Sequence, residues 1–285
     1  MEARKIFRIR ESFAIFLPKR WCEANSLDEK SEVELYWDED TVVVKPRRGR
    51  QFSVRLSSPN PDVAAKLLMS AFVTGYDEIR LEVKGMGLEV RNKVIAFARG
   101  LYMLPLEEGP DYIVFRVEDV KFDREKLIER MGTTLEFMLD HLATAPRANP
   151  SLLESVDDEV DRYRHMIERL CYKYPTSSCV RHVQLARYIE RAADHVVELA
   201  KLEPPRELVL LLKEAATEFA RASSSGELKS ALAFLETIDR ARFLAQQRAG
   251  DEVVLIHADR VLDYLANAIE VYMDMAACRT PNLEI

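Results

Sequence analysis

The period of the apolar positions changes along this chain, and each period predicts a different kind of structure. In residues 1–50 the segments KIFRIR, SFAIFLP and SEVELYWDEDTVVVKP alternate in part at a period of two, as short strands do, and Pro18 opens a one-turn helix, KRWCEAN. So short a run of strand cannot bury a core of its own. The expected solution is an intertwined dimer, in which two swapped β-hairpins complete each other.

Residues 51–120 read as strand, helix, strand, helix, then strand or hairpin. FSVRLSS alternates. Asn60 and Pro61 start a helix through AAKLLMSAFVTG that Gly75 closes, and DEIRLEV is the next strand. Val90, Val94, Phe97 and Leu101 recur at helical spacing, and EEGPD turns the chain into the strand YIVFRVED. This order predicts a small α/β sandwich with its helices on one face. It contains no glycine-rich phosphate loop, no nucleophile beside an apparent base and no metal-ligand spacing. A spacer or dimerisation role is what remains.

From 121 to 285 the strand signals vanish. ATAPRANPS, KYPTSS, EPPRE, SSSGE and RAGDE divide this part into six helices, three on each side of EPPRE. An all-α body of two three-helix repeats follows, at about 121–203 and 204–280. The fold class is therefore multi-domain α+β, with domains at 1–50, 51–120 and 121–285.

The helical stretch Cys179–Lys201 carries the sharpest chemical signal. Glu190 and Asp194 stand at i and i+4, and Val183, Ala186, Ala193 and Val197 share their arc, which puts two carboxylates on or beside an apolar face. Buried acids need a positive partner. Arg187 and Arg191 offer one within the helix, to Glu190 and Asp194 respectively, and a metal ion offers another from outside. Asp157 and Asp161 repeat the spacing on the preceding helix. Glu236 and Asp239, then Asp259, Asp263, Glu270 and Asp274, echo it in the second repeat. His195 points about 100° away from Asp194 on an ideal wheel. It reads as a packed or rim histidine, as do His141, His165, His182 and His257.

Charge sharpens the division. The net charge is -7, yet residues 1–50 hold 11 Lys and Arg against 10 Asp and Glu, so a basic beginning precedes an acidic body. Cys22, Cys171, Cys179 and Cys278 form no CxxC pair and no zinc spacing, which fits reduced thiols in a cytosol. No apolar run approaches the roughly 18 residues that a bilayer requires. A soluble, cytoplasmic protein with no membrane insertion and no organic cofactor is expected.

Two stretches carry resemblances to known families. After a basic first strand, FLPKRW at Phe16–Trp21 and VVVKP at Val42–Pro46 resemble the AbrB-type swapped-hairpin DNA-binding modules. The Glu11-Ser12 turn and NSLDEKSE depart from that family's glycine-bearing turns. The resemblance implies self-association through residues 1–50 and DNA as a partner. Arg4, Lys5, Arg8, Arg10, Lys19 and Arg20 would then supply phosphate and groove contacts. The plainer alternative is a solvated strand edge on which Arg and Lys block aggregation. Lys45, Arg47, Arg48 and Arg50 read as a solvated linker.

DEVDRYRHMIERL followed by LARYIERAADHVVELAK resembles the PhoU family, whose three-helix repeats carry a recurring pair of acids separated by three residues. That resemblance implies a multinuclear iron or zinc cluster on the bundle surface, with Asp157, Asp161, Glu190 and Asp194 as ligands. An all-carboxylate site also suits manganese or magnesium. In the second repeat Asn267 stands where an acid is expected after Asp263, so Glu236, Asp239 and Asp263 make a weaker set. The order of the three segments resembles the archaeal phosphate-uptake regulators.

Two functions fit these residues. One is a DNA-binding transcriptional regulator of phosphate uptake or signalling with a metal-binding helical body. The other is a metal-dependent adaptor of a phosphate transporter, sensor or kinase, in which the hairpin only dimerises. A ferritin-type oxidase needs Glu-x-x-His on two helices, and the chain contains no such pair. No Ser, His and acid set emerges from the spacing either, so an enzyme is not expected.

Overall fold

The computed structural model describes residues 3–38, 41–47, 51–118, 122–144, 149–225 and 227–279. Arg48 and Arg50 lie outside the described residues, as does the side chain of Cys278. The chain forms two compact units, Met1–Gly49 and Arg50–Ile285.

In the first unit β1 (Phe7–Ile9) pairs antiparallel with β2 (Ser12–Ala14), and β3 (Val33–Trp37) pairs antiparallel with β4 (Val42–Pro46). The one-turn helix α1 (Lys19–Ala24) lies between the two hairpins in sequence, with Pro18 at its N-cap. Arg10 turns the first hairpin at φ +56°, a left-handed conformation that glycine adopts more cheaply. The β3–β4 register puts Val33, Leu35 and Trp37 opposite Pro46, Val44 and Val42. Because side chains alternate across a strand, those six share one wholly apolar face. The unit leaves this face largely open among its described residues: none from 3 to 47 is buried, Val33, Val44 and Pro46 are half-buried, and Trp37 is 73% exposed.

The second unit begins with β5 (Gln51–Leu56), α2 (Pro61–Val73), β6 (Glu78–Val83), α3 (Leu88–Gly100), β7 (Met103–Gly109) and β8 (Tyr112–Val117). The sheet order is β5-β6-β8-β7, with β5 parallel to β6 and the other pairs antiparallel. Asn60 caps α2 by accepting from the Asp62 and Val63 amides, Pro61 starts it, and Gly75 closes it at φ +78°. Alternation then sorts the strands. Ile79, Leu81 and Val83 face inward with Ile113, Phe115 and Val117, toward Leu68 and Phe72 of α2 and Val94 and Ala98 of α3. The opposite face carries cross-strand pairs, Arg55 to Glu82 at 2.6 Å and Arg116 to Glu78 at 3.3 Å, with Arg80 stacked 4.0 Å over the Tyr112 ring. The expected small sandwich, helices on one face, is what forms.

Six further helices follow among the described residues: α4 (Arg124–Thr144), α5 (Pro150–Lys173), α6 (Cys179–Lys201), α7 (Arg206–Ser225), α8 (Leu228–Arg248) and α9 (Glu252–Arg279). Within each triplet the helices pack in sequence. Between triplets first meets first and third meets third, α4 on α7 and α6 on α9. This pseudo-twofold arrangement is the expected pair of three-helix repeats. Small residues permit the close approach, Ala186, Ala193 and Ala200 on α6 and Ala258, Ala266 and Ala268 on α9, all buried.

The segments expected as separate domains, 51–120 and 121–285, share one apolar core. Arg169 of α5 is 3% exposed and inserts at the C-terminal end of α2, donating from Nη1 to the Phe72 carbonyl at 2.8 Å and the Tyr76 carbonyl at 2.9 Å. Its Nη2 meets Asp77 at 3.1 Å, and Lys173 reaches the same carboxylate at 2.7 Å. A cation at a helix C-terminus satisfies orphan carbonyls and the helix dipole together. The sheet segment is thus bolted to the bundle rather than spaced from it.

Candidate functional site

The six basic residues proposed for DNA are all exposed. Arg8 lies on β1 opposite Phe13, and its Nε donates to the carbonyl of Arg10 at 3.2 Å, so both guanidinium-bearing residues sit at one end of the first hairpin. Arg4 and Lys5 precede β1; Lys19 and Arg20 form the first turn of α1. Lys19 is paired with Glu23 at 3.7 Å across 89% and 62% exposed side chains, a contact too solvated to hold it. In the second hairpin the basic residues are partnered differently: Lys45 faces Glu34 in the β-ladder and Arg47 is bonded to Glu32.

Asp157 and Asp161 of α5 and Glu190 and Asp194 of α6 do come together. The antiparallel packing of α5 on α6 sets this up, with Glu154 meeting Lys201 at one end and Glu168 meeting Arg187 at the other. Burial, then the charges of Asp194, Asp161 and Glu190, push the Asp157 carboxyl up to about 7. Burial does the same to Glu190, also to about 7; Arg164 pulls against it, and Asp194 and Asp161 add to the rise, Asp161 through a hydrogen bond that shares a proton. Asp194 is raised by burial and by Asp161. Asp157 Oδ1 is buried with no hydrogen-bond partner among the described residues.

The positive charge inside this centre is Arg164. It lies 3.2 Å from Asp161, 3.2 Å from Glu190 through Nε, and 3.4 Å from Glu168, with its side chain 17% exposed. The Nε contact is an ion pair whose angle is not that of a hydrogen bond. Arg187 was expected to serve Glu190 within α6. It turns instead to Glu168, at 2.9 Å. The correction has a physical cause: Glu190 is already engaged by Arg164, while Glu168 offers Arg187 a carboxylate across the α5–α6 seam with which it bonds through both Nε and Nη2. Burial would raise Glu168, but its bond to His165 and the charges of Arg164 and Arg187 hold it down at about 2.

Four carboxylates thus gather about one half-buried arginine, two of them held protonated to near neutrality and one with an unpartnered oxygen. In the present arrangement no group of three or more His, Cys, Asp or Glu among the described residues converges as a metal-ligand set. His195 stands apart from the acids. It turns to α9, where its Nδ1 lies 2.9 Å from that of His257 and its ring stacks on Tyr264.

The second-repeat acids are not gathered in this way. Asp263 is held by Arg242 at 2.6 Å and Arg260 at 3.6 Å, Asp239 is 80% exposed, and Glu236 is exposed. Sequence reasoning missed Arg164 and Arg169, the two arginines that tie α5 to its neighbours. Both lie on the same helix as Asp157, but nothing in the spacing says which neighbour they meet.

The fold joins a coreless pair of β-hairpins to a body whose first three-helix repeat bears the acids. Residues 6–52 match the family described as antidote-toxin recognition MazE, bacterial antitoxin, and residues 128–202 match the PhoU domain. The chain is thus similar to a MazE-type antitoxin domain in its first part and to a PhoU domain in its first three-helix repeat, and both families are regulatory. No curated protein and no solved structure matches it. No helix among the described residues is long and apolar enough to cross a membrane.

Proposed function

We propose that this protein is a homodimeric, DNA-binding transcriptional regulator of phosphate uptake, non-enzymatic and cytoplasmic, whose helical body receives the signal. The observation that carries this reading is the first unit: an apolar face of Val33, Leu35, Trp37, Val42, Val44 and Pro46, its Leu35, Trp37 and Val42 exposed, joined to an exposed basic hairpin. A second copy supplies the missing cover and doubles the basic surface. Reversing Arg8 and Arg10 to Glu together is expected to abolish retardation of duplex DNA in a gel while sedimentation still gives a dimer. Unchanged retardation overturns the assignment of those residues.

A second reading is favoured by one finding, the antitoxin description of the matched N-terminal family. The hairpin unit would then dimerise and engage a protein. Absence of duplex DNA binding at low salt, with the dimer intact, would select it, together with the adaptor role toward a phosphate transporter or kinase.

For the body, the proposal is that Asp157, Asp161, Glu190 and Asp194 hold a divalent cation, iron, zinc, manganese or magnesium. The bound ion would supply the positive charge that Arg164 supplies alone, and the unpartnered Asp157 oxygen and the raised carboxyls support it. Replacing Glu190 and Asp194 with Ala is expected to lower the metal content of purified protein in plasma emission analysis. No metal above background in the wild type, even after reconstitution with iron, contradicts it.

A further inference from the structure

Cys171 and Cys179 are eight positions apart in a pattern that signals nothing by spacing, yet the α5–α6 turn folds them against each other. Each sulfur lies by the other residue's carbonyl, Cys171 Sγ at 3.6 Å from the Cys179 oxygen and Cys179 Sγ at 3.9 Å from the Cys171 oxygen. Arg124 of α4 reaches over both, its Nη1 2.7 Å from Cys179 Sγ and 3.9 Å from Cys171 Sγ. Thr176 adds its amide and its hydroxyl, each 3.4 Å from Cys179 Sγ. Cys179 also occupies the first position of α6, where the helix dipole favours negative charge. Both residues are 8% exposed and lie at the edge of the apolar core.

A purely structural role for two buried thiols would call for apolar neighbours alone. These have a guanidinium, an amide and a hydroxyl aimed at one of the two sulfurs, the arrangement that turns a thiol into a nucleophile. The hydrogen bond from Cys171, with Thr176 and Arg124, outweighs burial and holds the Cys179 thiol down at about 5; the same bond and burial push Cys171 up.

We propose that Cys179 and Cys171 form a peroxide-reactive thiol pair, with Cys179 as the attacking thiolate and Cys171 as the resolving thiol. With a hydroperoxide as oxidant, the Cys179 sulfur attacks one peroxide oxygen and the O–O bond breaks. For hydrogen peroxide the departing hydroxide takes a proton and leaves as water, and Cys179 becomes a sulfenic acid. Cys171 then attacks that sulfur, losing its proton; the S–O bond breaks, a second water leaves, and a disulfide joins the last turn of α5 to the first turn of α6. Two thiols are oxidised and one peroxide is reduced to two waters. The disulfide removes the thiolate that Arg124 holds. The inference is independent of whether residues 1–50 bind DNA.

The test uses the full-length protein, reduced, desalted and exposed to hydrogen peroxide at pH 6.5, with remaining thiols blocked under denaturant before peptide mass mapping. A linked Cys171–Cys179 peptide lighter by two hydrogens and restored by dithiothreitol is the expected product. Cys171→Ser should instead leave a sulfenic acid on Cys179 that dimedone traps. Arg124→Met should slow disulfide formation about tenfold at pH 6.5 and much less at pH 9, where an ordinary thiol also ionises. The proposal is overturned if Cys171 and Cys179 are still thiols once Cys22 is oxidised, or if Cys179 links to a residue other than Cys171. A rate that Arg124→Met leaves unchanged at both pH values removes Arg124 from the account.

Discussion

Arg164 decides how much charge the acidic centre can carry. It touches Asp161, Glu190 and Glu168, and without it three carboxylates would face one another across the α5–α6 seam. Even with it, Asp157 and Glu190 are held protonated up to about pH 7. The sign of the consequence follows from proton counting. Both carboxyls bind protons more tightly in the folded chain than in the unfolded one, so their contribution is fully present below about pH 4 and is lost as pH rises through 7. Glu168, held down at about 2, acts in the opposite sense, in a lower window that leaves the range above pH 5 untouched. Metal-free protein should therefore lose thermal stability between pH 5 and pH 8. Asp157→Asn should raise the midpoint at pH 8 by about 3 °C while changing it little at pH 5, the gain being about 1 kcal/mol after screening of a half-buried group. A variant less stable than wild type at pH 8 in differential scanning fluorimetry contradicts the assignment.

At the scale of elements, α5 is the part that everything else meets. One side lays Asp157, Asp161 and Arg164 against α6, and another pushes Arg169 and Lys173 into the end of α2. Arg169→Met should cost about 3 kcal/mol, because two buried carbonyls and Asp77 lose a charged donor. Hydrogen exchange should then speed up in 51–118 before it does in α6 and α9; uniform protection loss would mean the two segments do not open separately. Much of this level was legible. Asn60, Pro61 and Gly75 marked the ends of α2 because caps are local, and Pro and Gly broke the body into its six helices for the same reason. The acid pairs were legible because i, i+4 spacing is local too. Arg164, Arg169 and the Cys171–Cys179 contact were not, since each depends on which helix face meets which, a long-range fact that no window of sequence contains. Arg187 misled because its nearest acid in sequence lies within reach on a wheel, while Glu168 lies nineteen positions away and closer in space.

At the scale of the whole molecule, two units of opposite character share a chain. The body is closed around its own core, with first helices and third helices paired across the repeats. The first unit has none, as expected of so short a run of strand, and the structure adds which residues are left over: Leu35, Trp37 and Val42 are exposed on one face. Trp37→Asp should therefore dissociate the dimer, read as a halved mass in light scattering, and weaken any DNA binding with it. An unchanged mass would place the dimer contact elsewhere.

In the proposed function the basic hairpin meets DNA as half of a dimer. The most direct measurement is fluorescence anisotropy of a labelled duplex titrated with the intact protein over a series of salt concentrations. Phosphate contacts release counterions, so log affinity should fall linearly with log salt, with a slope of about -4 or steeper if Arg8 and Arg10 of both copies each neutralise a phosphate. The Arg8→Glu, Arg10→Glu dimer should lose most of that slope and the binding with it. No binding at about 50 mM salt, where such contacts are strongest, or a slope that the variant retains, would contradict the central claim.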